Sequence, residues 1–320
     1  MTKATGMNDP GVIETRGLTK RYGGQTVVDS LDISVPTGVI AGFVGPNGAG
    51  KTTTLRMLLG LVRPTDGQGH VLGVPLTEPS GYLARVGALI ESPAFYPGLS
   101  GVRNLAVQTT LSGIEPGRIP VVLDRVGLAH RGADPYRTYS LGMKQRLGIA
   151  AALLGEPSLL ILDEPTNGLD PAGIREMREL LRSLASYGRT IFVSSHLLAE
   201  VEQVCDWLVV IEAGRRVFQG STADLMAGGG DRLVVSCEHV DDLPRLEKLL
   251  AQRGLHPKRD GDRLWVDVAS ALGANGAGLT PVLADINRAA MAEQLTLVEL
   301  TVAKRHLEDR YLTLISGGVR

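Results

Sequence analysis

Several stretches of the chain are apolar at nearly every position instead of alternating. They are VIAGFV (39–44), SLLILDEP (158–165), TIFVSS (190–195) and WLVVIEAG (207–214). A strand that is apolar on both faces must be covered on both, so these runs predict a parallel sheet flanked by helices. KTTTLRMLLGLV, just after the first run, carries helical spacing instead. Between about 97 and 157 the strand-like runs stop and helical patterns replace them. This predicts a helical subdomain inserted into an α/β core spanning 11–227.

The pattern changes after MAGGGDR (226–232), a helix-breaking stretch that reads as a linker. Beyond it come a strand RLVVSC, a helix DDLPRLEKLLAQRG, a short strand near 256–260 and a strand RLWVDV. A helix PVLADINRAAMAEQ and a strand LTLVELTV follow. That βαββαβ order predicts a small α+β accessory domain over 231–320, of ferredoxin-like plan, closed by a last helix KRHLEDRYLTLI.

Composition narrows the function classes. Lysine plus arginine total 33 against 34 acidic residues in 320, a net charge of −1. That balance argues against a nucleic-acid binder relying on long-range attraction, so no nucleic-acid partner is expected. Cys205 and Cys237 stand in no metal spacing and read as reduced thiols. The first residues, MTKATGMNDPG, have no apolar core of the kind a secretory signal needs. No apolar run reaches the roughly 18–20 residues that span a bilayer. A soluble chain is expected, with any membrane role supplied by another subunit.

The chemistry is concentrated in a few short stretches. GPNGAGKTTT fits G-x-x-x-x-G-K-[ST], with Gly45, Gly50, Lys51 and Thr52 at the required spacing. Such a loop (Gly45, Pro46, Asn47, Gly48, Ala49, Gly50) lets backbone N–H groups curl around a phosphate. The following helix N-terminus, at Lys51 to Thr53, adds positive potential. Lys51 would reach the outer phosphates, and the Thr52 hydroxyl would ligate Mg²⁺. In LLILDEP the apolar strand ends in Asp163, placing a carboxylate at the sheet edge where α/β proteins bind ligands. Asp163 suits the Mg²⁺ shell and Glu164 suits an attacking water. Alone, an Asp-Glu pair also fits a strand ending in solvent; beside a phosphate loop that reading weakens. His196, ending TIFVSSH, and Tyr22, in KRYGG, say little by position: either fits packing as well as ligand contact. Ser140, in YSLGMKQR, fits an ordinary helix cap as well as a helix aimed at a phosphate.

With YSLGMKQR preceding LLILDEP, residues 11–225 closely resemble the ATPase subunit of an ABC transporter. The resemblance implies a P-loop fold, ATP and Mg²⁺ as cofactors, and roles for further residues. Tyr22 matches the aromatic that stacks on adenine, and Gly45 to Thr52 match the Walker A loop. Asp163 and Glu164 match Walker B and the catalytic glutamate, Asp170 in NGLDP the aspartate at the dimer seam, and His196 the switch histidine. Ser140 and Gly142 match the signature, although Leu141 and Met143 replace its usual Gly and Gln. Glu91, in GALIESPAFYPGLS, stands where the family has a Gln that links Mg²⁺ to the membrane partner. That variant, with the tail HLEDRYLTLISGG, resembles the exporter branch typified by bacitracin-resistance and lantibiotic-immunity ATPases.

The resemblance implies an ATPase engine working as a head-to-tail pair of copies, docked on an integral-membrane permease at the cytoplasmic face. Closure around two nucleotides would switch the permease. A soluble ABC-type ATPase of translation or DNA repair is the alternative. Those relatives usually carry two cassettes or a coiled-coil insertion, and this chain has one phosphate loop and no heptad run. A phosphoryl-transferring kinase would share the phosphate loop, with no use for the signature.

Overall fold

The computed structural model describes residues 11–91, 94–227, 231–268 and 279–303. The chain divides into two compact units, Met1–Thr222 and Ala223–Arg320.

The centre of the first unit is a six-stranded sheet. It comprises β4 (Ile40–Val44), β7 (Val86–Leu89), β8 (Leu159–Asp163), β9 (Thr190–Ser195), β10 (Trp207–Glu212) and β11 (Arg215–Ser221), in the order β11-β10-β4-β9-β8-β7. Only β11 runs antiparallel to its neighbour. The three central strands β4, β9 and β8 are buried at every residue, and Phe43 stacks on Phe192 with ring centroids 5.2 Å apart. The uninterrupted apolar runs of the sequence are therefore the middle of a sheet covered on both faces.

A second, antiparallel sheet precedes and flanks these elements in the chain. It contains β1 (Ile13–Tyr22), β2 (Gln25–Leu31), β3 (Ser34–Val35), β5 (Asp66–Val71) and β6 (Val74–Pro75). Its inward residues, among them Ile13, Leu18, Val28, Leu31 and Val71, join one core with Phe43, Leu55 and Phe192.

Helices α1 (Lys51–Leu58), α5 (Pro171–Ala185) and α6 (Leu198–Glu202) belong to the sheet region, and α7 (Thr222–Ala227) opens the second unit. The helical stretch holds α2 (Gly101–Ser112), α3 (Arg118–Arg125) and α4 (Leu141–Leu153). Helix α4 lies hard against β7. A Cβ on Gly87 would come within 2.2 Å of the Ala152 carbonyl oxygen, so that approach requires glycine.

In the second unit β12 (Arg232–Cys237), α8 (Leu243–Ala251), β13 (Lys258–Asp260), β14 (Arg263–Asp267), α9 (Leu279–Ala292) and β15 (Leu297–Ala303) follow in the order βαββαβ. The sheet order is β13-β14-β12-β15 with every neighbour antiparallel, the layout of a split βαβ repeat. Leu233, Val235, Leu246, Leu250, Leu264, Val266 and Ile286 form its own core. The expected last helix KRHLEDRYLTLI and the tail HLEDRYLTLISGG lie outside the described residues, as does the centre of the linker at 228–230.

Candidate active site

The strand order brings the carboxyl ends of β4, β9 and β8 side by side, so the loops that leave them meet. Gly45 to Gly50 connects β4 to α1, Asp163 and Glu164 end β8, and His196 follows β9.

Close backbone approach makes glycine necessary in the first loop. A Cβ on Gly45 would sit 2.3 Å from the Ile211 carbonyl oxygen. Gly50 has φ 100° and its Cβ would lie 2.7 Å from the Val27 oxygen. Pro46 accepts from the Ala49 N–H at 3.1 Å, closing the turn. Helix α1 starts with no side-chain cap and no acidic residue in its first turn. Its first N–H groups therefore keep their donors and partial positive charge for an anion.

Lys51 is buried beneath this turn. Its ammonium donates to the Gly45 oxygen at 2.7 Å and to the Pro46 oxygen at 3.3 Å, and pairs with Glu164 Oε1 at 3.3 Å. Two of its three protons thus go to backbone oxygens, and the Glu164 carboxylate is the counter-charge of the buried ammonium. The other Glu164 oxygen, Oε2, lies 2.7 Å from His196 Nδ1. An ionised carboxylate only accepts, so Nδ1 carries the proton in this pair. Glu164 itself has φ 48°, in the left-handed region.

Next to it, the Thr52 hydroxyl donates to Asp163 Oδ2 at 2.8 Å. Ser194, fully buried in β9, donates from its hydroxyl to Asp163 Oδ1 and accepts from the Glu164 N–H at 2.9 Å. One serine thus holds the Asp163 carboxylate and the Glu164 backbone together. The sequence pattern passed over it; the only signal was a hydroxyl pair inside an otherwise apolar strand.

The recess that results has a volume of about 320 Å³ and is lined by Asn47, Gly48, Lys51, Thr53, Glu164 and His196, among others. The remaining candidates lie outside it. Tyr22, 48% exposed at the β1–β2 turn, has the Lys20 ammonium 4.9 Å from its ring centroid. Ser140 caps α4, accepting from the Met143 N–H at 3.3 Å, and Asp170 caps α5, accepting from Gly173 N–H at 2.8 Å. A Cβ on Gly142 would only touch Leu169, at 3.7 Å. Glu91 is ion-paired with Arg56 of α1 and does not join Thr52 and Asp163.

Among the described residues no group of three or more His, Cys, Asp or Glu cages a metal by itself. The Thr52 hydroxyl and Asp163 carboxylate are hard oxygen donors already in contact. They suit Mg²⁺, which is held by one or two protein oxygens when phosphates complete its shell.

A phosphate loop, a strand-end carboxylate pair and a capped helix on an inserted helical region define an ATP-binding cassette, and the comparisons agree. The family model described as ABC transporter matches residues 28–167. The bacitracin transport ATP-binding protein BcrA of Bacillus licheniformis is 40% identical over 311 residues, covering 96% of this chain and 98% of that protein. The lantibiotic transport ATP-binding protein SrtF of Streptococcus pyogenes is 42% identical over 208 residues, covering 65% and 90%. A solved ATP-binding subunit of an ABC transporter superposes with a TM-score of 0.60 at 31% identity, covering 68% and 92%. CbiO1 of Clostridium perfringens shares the fold, with a TM-score of 0.62 at 24% identity, covering 77% and 97%. The chain belongs to the family of ABC transporter ATP-binding proteins. It is the subunit that binds and hydrolyses ATP. These matches leave the soluble translation or repair reading without support.

Proposed function

We propose that two copies of this chain close head to tail around two ATP molecules and drive an exporter through a separately encoded membrane permease. The observation that carries this reading is the division of the phosphate-facing parts. Lys51, Thr52, Asp163, Glu164 and His196 line or border one recess, whereas Ser140 and Gly142, at the exposed start of α4, lie outside it. A helix start has free N–H groups and a partial positive charge, which suits the terminal phosphate of a nucleotide held by the other copy. Asp170 stands at a second exposed helix start and would meet the same seam.

Within one copy, Lys51 and the loop amides bind the phosphates, and Tyr22 stacks on the adenine. Glu164 is the general base that takes a proton from the attacking water through a carboxylate oxygen. His196, bonded to Glu164 through Nδ1, turns its other nitrogen toward the terminal phosphate. Thr52 and Asp163, joined by Glu91 once it leaves Arg56, would hold Mg²⁺, which when bound neutralises charge on the phosphates. No helix of the described residues is long and apolar enough to cross a membrane. A peripheral position at the cytoplasmic face, through the permease, is consistent with that. Relatives named for bacitracin and lantibiotic transport point to antimicrobial peptides as the cargo class.

A mixture of two inactive variants tests the trans arrangement. Ser140→Arg spoils the signature and Lys51→Ala spoils the phosphate loop. In their mixed dimer one composite site carries both lesions, and the other is intact if the signature serves the partner. Occlusion of labelled ATP, in a Glu164→Gln background, should return in the mixture. If the mixture stays empty while wild type plus either variant occludes one nucleotide per dimer, the trans arrangement is wrong.

A further inference from the structure

Arg56 and Glu91 form an ion pair that joins α1 to the segment after β7. Arg56 follows Thr52 by four residues on α1, so the two side chains lie on one helix face, about 6 Å apart along the axis. Glu91 comes two residues after Leu89, which pairs in parallel register with Leu162 of β8. The pairing ends there, so the segment carrying Glu91 leaves β7 at the same sheet edge from which Asp163 and Glu164 end β8. The Glu91 backbone has φ 61°, a conformation an ordinary side chain avoids, so its carboxylate is aimed by a local bend in the chain. A carboxylate so placed has two destinations one helical turn apart. One is the Arg56 guanidinium; the other is the cation that Thr52 and Asp163 would hold.

We infer that Arg56 is a positioning residue that holds the Glu91 carboxylate away from the Thr52–Asp163 donor pair, and that Glu91 exchanges Arg56 for the cation when the nucleotide site loads. The inference rests on the reading of Glu91 as a metal ligand. Electrostatics sets its direction. Without its counter-charge, Glu91 adds a free carboxylate near Asp163, and a divalent cation relieves the repulsion between them. Removing Arg56 therefore strengthens cation binding. The pair is open to solvent, with side chains 37% and 64% exposed, so the gain is that of a surface ion pair, about twofold to fivefold.

The test uses the full chain, Mn²⁺ as the cation and a non-hydrolysable ATP analogue, with bound metal read from the loss of the free-Mn²⁺ paramagnetic resonance signal. Glu91→Gln should weaken Mn²⁺ binding severalfold. Arg56→Gln should tighten it by about twofold to fivefold, Arg56→Lys should leave it near wild type, and Arg56→Gln should have no effect once Glu91 is already Gln. If Glu91→Gln weakens the metal and Arg56→Gln leaves it unchanged, the exchange is refuted while the metal-ligand reading stands. If Arg56→Gln tightens the metal equally in both backgrounds, loss of a nearby positive charge accounts for it and the exchange is again refuted. If Glu91→Gln changes nothing, the metal-ligand reading falls and the inference falls with it.

Discussion

In the structure the Glu164 carboxylate is the counter-charge of the buried Lys51 ammonium, the group a nucleotide's phosphates would otherwise engage. Replacing Glu164 by Gln should therefore tighten nucleotide binding as well as abolish turnover. At 3.3 Å and an effective dielectric of about 20, the Lys51–Glu164 attraction alone is about 5 kcal/mol. The lysine gives up water to make the pair, and a hydrogen bond to a charged group nets only about 1.5–3 kcal/mol. The Gln amide still offers an oxygen to Lys51, so roughly half of that should be released, or about 0.8–1.5 kcal/mol. This corresponds to roughly fourfold to twelvefold tighter binding. Lys51 reaches the β- as well as the γ-phosphate, so the gain should appear for ADP. It should be larger for a non-hydrolysable ATP analogue, where the repulsion between Glu164 and the γ-phosphate also disappears. Calorimetric titration of both nucleotides in EDTA keeps metal effects out of the comparison. ADP affinity that is unchanged or weaker would show that Glu164 does not compete for Lys51. In the same variant ATP turnover should fall by orders of magnitude. Hydrolysis at the wild-type rate would remove Glu164 from the chemistry altogether.

Ser194→Ala removes the hydroxyl that holds Asp163 and receives the Glu164 N–H in a fully buried position. It should cost about 1–3 kcal/mol of stability, read as a lowered denaturation midpoint, and lower kcat with little change in nucleotide affinity. Burial pushes both the Cys205 and Cys237 thiols up, so the reactive thiolate is scarce in the folded chain. Neither should react with a chromogenic disulfide reagent at pH 8 until denaturant is added; rapid reaction of the native protein would contradict the burial.

The parts of the fold that were legible are those whose signal is local. β4, β8, β9 and β10 show as short, mainly apolar runs because both faces of each are covered. The antiparallel sheet escaped notice for the opposite reason. β5 reads DGQGHV and is mostly exposed, and β1 interrupts its buried positions Ile13, Thr15, Leu18 and Thr19 with charged residues and Gly17. Backbone pairing across long sequence separations holds these strands, leaving little hydrophobic pattern to read. The site divides in the same way. Lys51, Thr52, Asp163 and Glu164 announce themselves through short motifs. Ser194 reaches Asp163 only because β8 and β9 run parallel in a particular register. The Arg56–Glu91 pair depends on where β7 ends relative to α1. Such contacts follow from three-dimensional register, which a single sequence does not print.

The left-handed backbone at Glu164 bears on how this protein tolerates change. Holding an ordinary L residue there costs roughly 1–2 kcal/mol, a burden that Asn or Gly at that position would largely lift. Against that relief stands the loss of Glu164 as counter-charge to the buried Lys51 and as partner of His196, which is at least as large. Backbone strain and side-chain pairing therefore hold residue 164 in balance, and a library sorted by survival on heating should release the glutamate only in chains that have also lost the Lys51 charge.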